Sequence, residues 1–210
     1  MITKEAELLL IFTREPWKKY TFTELKKKSG KKSKSYLQGF IEKFVKEDII
    51  LQEKVGHLPI YSLNLSSSKA RAYAGFVLEH EGWNKRNIPY KDMQKLMDKI
   101  NYKDYVFLIT GSYVKGTQTK HSDIDVVIFI EDSLEPKKVY AELKLQSELS
   151  IPKAHLYVFK YSEFIQMLTN KEANYGKEII KNYLILTEGQ VYLKIIDEAI
   201  KNGFNDKTLA

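Results

Sequence analysis

The chain has 210 residues, 43% hydrophobic and 12% aromatic, enough apolar material for one large or two small cores. It holds no cysteine, which excludes disulfides and thiolate metal centres, and none of its apolar runs approaches the roughly 20 residues of a membrane span. The net charge of +7 is uneven: residues 1–65 carry 13 basic against 8 acidic side chains, residues 66–210 carry 21 against 19. The excess that would meet a polyanion therefore lies in the first third. Lys4, Glu5 and Glu7 interrupt the N-terminal apolar residues, unlike a secretory signal, so a cytoplasmic location is expected.

In chain order, the run Ala6–Phe12 predicts a helix over residues 3–13, broken at Arg14-Glu15-Pro16. Thr21-Phe22-Thr23-Glu24 has capping-box spacing and opens a short helix from Glu24 to about Lys28, closed near Gly30. Ser33 is the expected N-cap of a third helix, whose Leu37, Phe40, Ile41, Phe44 and Val45 form one apolar stripe. Two strands follow, Ile49–Gln52 and Ile60–Leu63, around a turn at 55–59. Three helices and a hairpin resemble the winged helix-turn-helix domains of prokaryotic regulators, here residues 1–65. The resemblance implies that the third helix enters the major groove of double-stranded DNA. Its outward residues would be Lys34, Ser35, Gln38 and Lys43, with Lys31 and Lys32 just ahead. Gln38 would read adenine and the lysines would hold phosphate. Such domains also serve as protein–protein or dimerisation elements, and lysines are equally the default solvated face. Tyr36 is expected to be partly buried or to stack on a sugar.

Ser66-Ser67-Ser68 caps an expected linking helix, Lys69 to Glu81, with Tyr73, Phe76 and Val77 on one face. Ile88-Pro89 breaks it before a second helix, Tyr90 to Ile100, whose Met93, Leu96, Met97 and Ile100 read as core. Residues 66–101 are thus expected to be a helical linker. Next come a strand at Tyr105–Thr110, another at Asp123–Ile130, a helix from Pro136 to about Gln146 and a strand at 153–159. A helix capped by Ser162, a helical stretch at 173–182, a short strand at 183–186 and a final helix, Gln190–Lys201, complete the pattern. The fold class expected is α+β, with a mixed sheet packed by helices in the C-terminal half.

The chemistry concentrates between two of these strands. Leu108-Ile109-Thr110-Gly111-Ser112 places a small-residue turn after an apolar strand, and ten residues later Asp123-Ile124-Asp125-Val126 sets two carboxylates on a second strand. Strand side chains alternate, so Asp123 and Asp125 share a face while Ile124 and Val126 point into the core. Neighbouring carboxylates repel and raise each other's pKa unless a cation joins them, and Mg²⁺ suits one or two carboxylates with water and phosphate. This composite resembles the minimal nucleotidyltransferases of the DNA polymerase β-like superfamily, for residues 102–210. The resemblance implies phosphate binding at Gly111 and Ser112, a catalytic magnesium on Asp123 and Asp125, and a nucleoside triphosphate substrate. Gly111 would let backbone approach a phosphate, and Ser112 would offer a hydroxyl and an amide. Lys115 would reach a γ-phosphate, or it is, like Lys120 and His121, a solvated loop residue.

The family usually carries a third carboxylate on the next long strand, as general base and second-metal ligand. Here that strand reads Lys153-Ala154-His155-Leu156-Tyr157-Val158-Phe159, without an acid. His155 and Tyr157 share one face of it. His155 is the candidate base, or a polar strand-end residue; Tyr175 and Tyr183 would stack on a base or pack in the core. The expectation is a Mg²⁺-dependent transferase moving AMP from ATP to an acceptor, coupled to DNA binding, in a homodimer formed around residues 69–100. By analogy the acceptor would be a protein such as a partner toxin. The competing expectation is a DNA-binding regulator whose transferase-like part has lost its chemistry and senses nucleotide.

Overall fold

A computed structural model describes residues 4–30 and 33–209. Its first elements are α1 (Lys4–Arg14), β1 (Tyr20–Thr21), α2 (Phe22–Lys28), α3 (Lys34–Lys46), β2 (Ile50–Val55) and β3 (Leu58–Leu63). The capping box at Thr21 and Glu24 closes as the spacing predicts: Thr21 Oγ1 accepts from the Glu24 amide at 3.3 Å, and Glu24 accepts from the Thr21 amide at 2.7 Å. Ser33 accepts from the Tyr36 amide at 3.1 Å and starts α3. Leu37, Phe40, Ile41 and Phe44 bury the inner side of α3. The antiparallel sheet has order β1-β3-β2. β1 escapes sequence reading because two residues carry no alternation; Tyr20 and Thr21 pair with Tyr61 and Ile60. The hairpin turns more tightly than expected, with Val55 opposite Leu58.

The remaining elements are α4 (Ser68–Trp83), α5 (Tyr90–Met97), β4 (Val106–Thr110), α6 (Ser112–Lys115), β5 (Ile124–Ile130), α7 (Pro136–Leu149), β6 (Ala154–Lys160), α8 (Tyr161–Thr169), α9 (Tyr175–Lys181), β7 (Tyr183–Thr187) and α10 (Gly189–Lys201). The chain is thus α+β. The second sheet has order β6-β5-β4-β7 and is mixed: β4 runs antiparallel to β5 and β7, whereas β5 and β6 are parallel. Parallel neighbours need a long crossover, and α7 supplies it.

Both faces of this sheet are covered. Val106, Leu108, Val127, Phe129 and Ile185 join one apolar cluster with α4, α8 and α10; Phe107, Ile109, Val126, Ile128 and Leu184 join another with α5 and α7. Burial on both faces explains the continuous apolar runs of β4 and β5. Ile124 and Val126 of β5 point into the core as expected, and Val127 and Phe129 on its other side are fully buried as well.

Helix α4 packs on β7, α10 and α1. Gly82 makes this possible: a Cβ there would lie 1.9 Å from the Ile185 carbonyl oxygen. Phe76, expected on the packed face, is instead 58% exposed, and Ala70, Ala74, Val77 and Leu78 form the buried one. Ser162 does not cap α8; it lies in the first turn, where its hydroxyl donates to Asp132 at 2.7 Å, while Glu163 accepts from the Lys160 amide at 2.7 Å.

The first and second halves meet along one seam. Arg14 Nη1 donates to the Tyr183 carbonyl at 2.9 Å, and its other nitrogen pairs with Glu81. The Tyr183 hydroxyl donates back to the Thr13 carbonyl at 3.4 Å, and Trp17 Nε1 donates to Asp206 at 2.8 Å. Desolvation opposes the charge on Arg14, but its bond to Glu81 and the negative charge there outweigh this and raise its pKa.

Candidate active site

β4 ends at Thr110, directly opposite Asp125 in the antiparallel register. The next residue, Gly111, has φ +74°, a conformation that glycine adopts without steric cost. A side chain is excluded there for a second reason: a Cβ would fall 2.1 Å from Asp125 Oδ2. The carboxylate of Asp125 therefore rests on bare backbone. Gly111 precedes the single turn of α6, with Ser112 first and the exposed Lys115 last; the Lys115 amide donates to the Gly111 carbonyl at 3.2 Å. Thr119 and Ser122 then tie the loop that returns to β5, the Thr119 amide donating to Ser122 Oγ at 2.9 Å.

Asp123 is exposed and lies one residue ahead of β5, whereas Asp125 is half-buried at the open end of an otherwise covered face. Burial raises the Asp125 pKa from its ordinary value; His155 opposes this and the negative charge of Asp123 adds to it. The charge of Asp123 is thus felt at Asp125.

Sequence alone could not say which residue of β6 faces Asp125. The parallel register pairs Asp125 with His155, and His155 Nδ1 lies 3.6 Å from Asp125 Oδ1. Tyr157, two residues on, has its hydroxyl 3.2 Å from the same nitrogen. Tyr175 of α9 packs its ring on Tyr157 at 4.6 Å between centroids. Gly111, Asp125 and His155 are thereby gathered at one end of the sheet, with Asp123, Ser112 and Lys115 on flanking segments. Tyr183 is not beside them as a base platform: it is buried and packs at a tilt against Tyr192, 5.1 Å between centroids.

The residues singled out in the first helical unit form a separate surface. Lys34, Ser35, Gln38 and Lys43 are all exposed on α3; Lys31 and Lys32 lie outside the described residues. Gln38 donates to Glu42 at 3.0 Å and Lys43 to Glu5 at 2.7 Å. Lys34 and Gln38 border a groove of about 340 Å³ between α3 and the β2–β3 hairpin, floored by Phe22, Ile41 and Tyr61. Tyr36 is 37% exposed.

Among the described residues no three His, Cys, Asp or Glu side chains are gathered as a protein-only metal cage, and no helix is long and apolar enough to cross a membrane. Residues 91–187, from α5 to the end of β7, match the family model described as Nucleotidyltransferase domain. No curated protein and no solved structure matches the chain. The family match supports nucleotidyl transfer, with a nucleoside triphosphate as substrate, as the activity of this segment.

Proposed function

We propose, starting from that match over residues 91–187, that the chain is a Mg²⁺-dependent transferase moving a nucleoside monophosphate, AMP from ATP, onto an acceptor hydroxyl. The observation that carries the reading is the seating of Asp125 on Gly111 in register with His155. The donor set fits a magnesium ion: the charge of Asp123 weighs against a charged Asp125, and Mg²⁺ takes one or two carboxylates, completing its shell with water and phosphate. Asp123 and Asp125 would hold it, and it would supply charge neutralisation at the reacting phosphates.

The protein's own residues do the rest. Gly111 leaves backbone open to the triphosphate, Ser112 offers a hydroxyl and an amide, and Lys115 offers a cation. His155 takes the proton of the acceptor hydroxyl as its oxygen bonds to the α-phosphorus. The bond from that phosphorus to the bridging oxygen breaks, and pyrophosphate leaves. Asp123→Asn with Asp125→Asn should abolish transfer of label from α-labelled ATP in cell lysate, because a neutral amide cannot replace the lost charge. Undiminished labelling by the double variant would overturn the assignment.

The N-terminal unit, read as a winged helix over residues 1–65, supports DNA binding through Lys32, Lys34, Ser35, Gln38 and Lys43. The basic excess of this part of the chain favours that reading. A homodimer would present two such helices to one site. By analogy the acceptor would be a protein such as a toxin, in the cytoplasm.

A second reading follows from β6, which offers His155 and Tyr157 where the resemblance leads one to expect an acid. It is a DNA-binding regulator whose transferase-like part senses nucleotide without turnover. Titration on genomic fragments with and without Mg-ATP separates the two readings. A nucleotide-dependent change in specific binding, without label transfer, would favour the sensor.

A further inference from the structure

The two edges of the second sheet are treated differently. On β7 the carbonyls of Tyr183 and Leu186 accept from Arg14 Nη1 at 2.9 Å and Trp83 Nε1 at 2.7 Å, and α4 packs alongside. β6, at the other edge, is bonded on one side only, to β5. The Ile124 amide donates to the Lys153 carbonyl at 2.9 Å, which sets the phase of that ladder. His155, Tyr157 and Phe159 then turn their N–H and C=O groups toward β5, while Ala154, Leu156 and Val158 turn theirs outward. Among the described residues nothing bonds those outward groups; the open stretch ends at Lys160, whose amide donates to Glu163 at 2.7 Å.

Exposed edges are ordinarily blunted by lysine, proline, a bulge or shortness. Between Ala154 and Phe159 β6 uses none of these: it is a seven-residue strand paired with β5 without a register shift, and its middle reads Leu-Tyr-Val-Phe. A ladder of alternating N–H and C=O groups is matched by a polypeptide backbone, laid about 4.8 Å away. Same-face side chains of such a strand would stand opposite His155, Tyr157 and Phe159, the first of them beside the candidate active site. Four residues on, about 13 Å at the strand rise, Phe159 lines a hollow of about 630 Å³ together with Met167, Gln166 and Asn170. Leu145, Leu149 and Ile151, on the segment leading into β6, are exposed apolar side chains, which suits a protein partner better than a polyanion.

We propose that the outer edge of β6 docks an extended polypeptide, and that this segment is the acceptor, with a hydroxyl side chain beside His155 and an apolar one four positions away over Phe159. The strip is continuous with the transfer site, which favours the acceptor over a second copy of this chain as its occupant. The acceptor role rests on the transfer reading above; the docking does not.

The test uses the ¹⁵N-labelled full chain and a synthetic peptide of alternating valine and glutamine, with one central serine, phenylalanine four positions to either side of it, and terminal lysines for solubility. Without nucleotide or magnesium, saturating peptide should slow hydrogen exchange at the Leu156 and Val158 amides by about tenfold or more. N-methylation of one alternate set of the peptide's amides should abolish that slowing, and N-methylation of the other set should leave it. With α-labelled ATP and Mg²⁺ the serine should take label. Unchanged exchange at both amides, or equal effects of the two N-methylated sets, would overturn the docking. So would slowing that grows with protein concentration in the absence of peptide, which would give the edge to a second copy. Docking without label on the serine, by a chain that labels another acceptor in lysate, would overturn the acceptor role. A chain that labels nothing at all would overturn the transfer reading and leave the docking in place.

Discussion

Asp125 and Lys43 are both charged residues of candidate sites, yet the fold treats them in opposite ways. Asp125 is half-buried, pressed onto a glycine with positive φ, raised in pKa, and faced by an imidazole from another strand. Lys43 is exposed and already paired with Glu5, and Lys34, Ser35 and Gln38 on the same helix are exposed as well. The contrast separates two kinds of function. Moving a phosphoryl group needs charge held in a fixed and partly dehydrated place, and such a place leaves marks of burial and crowding. Gripping a polyanion needs only a field of mobile cations, so that surface carries no comparable mark.

The contrast breaks most sharply at Gly111. Gly111→Ala adds a methyl where Asp125 Oδ2 sits and strains a backbone at φ +74°. Displacing a catalytic group by about 1 Å costs on the order of 100-fold, so label transfer should fall at least about that much. The strained conformation should also lower stability by about 1–3 kcal/mol, measurable by urea unfolding. Transfer and stability both at wild-type levels would show that the turn adapts and that crowding there is incidental.

A smaller effect tests the burial of Asp125 itself. An acid whose folded pKa is raised binds its proton more readily folded than unfolded. Its contribution therefore favours the fold at low pH and is lost as pH rises through the raised value. Asp125→Asn should accordingly melt above the wild-type chain at neutral pH, with the difference vanishing below the ordinary carboxylate range. Destabilisation at neutral pH would mean that the charged form is the one the fold favours.

The smallest effects belong to α3. If Lys34 meets a phosphate, Lys34→Ala should reduce the slope of log K against log salt on duplex DNA by about 1. Lys43→Ala should reduce it by less, because Glu5 already satisfies that cation. Equal slopes for both variants and the wild-type chain would remove α3 from any nucleic-acid interface.

What the sequence disclosed, and what it hid, follows the same division between local and distant. Capping by Thr21, Glu24 and Ser33 was legible because each cap is settled within four residues. The Gly111–Asp125 composite was legible because turn and strand alternation are local rules. The pairing of Asp125 with His155 was not, since parallel register depends on how α7 lays β6 beside β5. Tyr175 reaches Tyr157 only through the α8–α9 loop, which no periodicity predicts. Phe76 misled because an apolar residue at helical spacing signals a buried face only when something covers it; here small residues carry the contact.

The seam at Arg14 and Tyr183 bears on how such a chain can be taken apart. Tyr183 belongs to the strand beside β4, yet its hydroxyl and its carbonyl are both committed to the end of the first helix. The apolar cluster runs without interruption from Leu8 and Phe12 through α4 to Tyr192 and Phe204. Cutting between the halves would expose greasy surface on both fragments and strand a guanidinium, so neither half is a ready-made cassette for transplantation. Shuffling in evolution, or fusion at the bench, would have to move the whole seam with it.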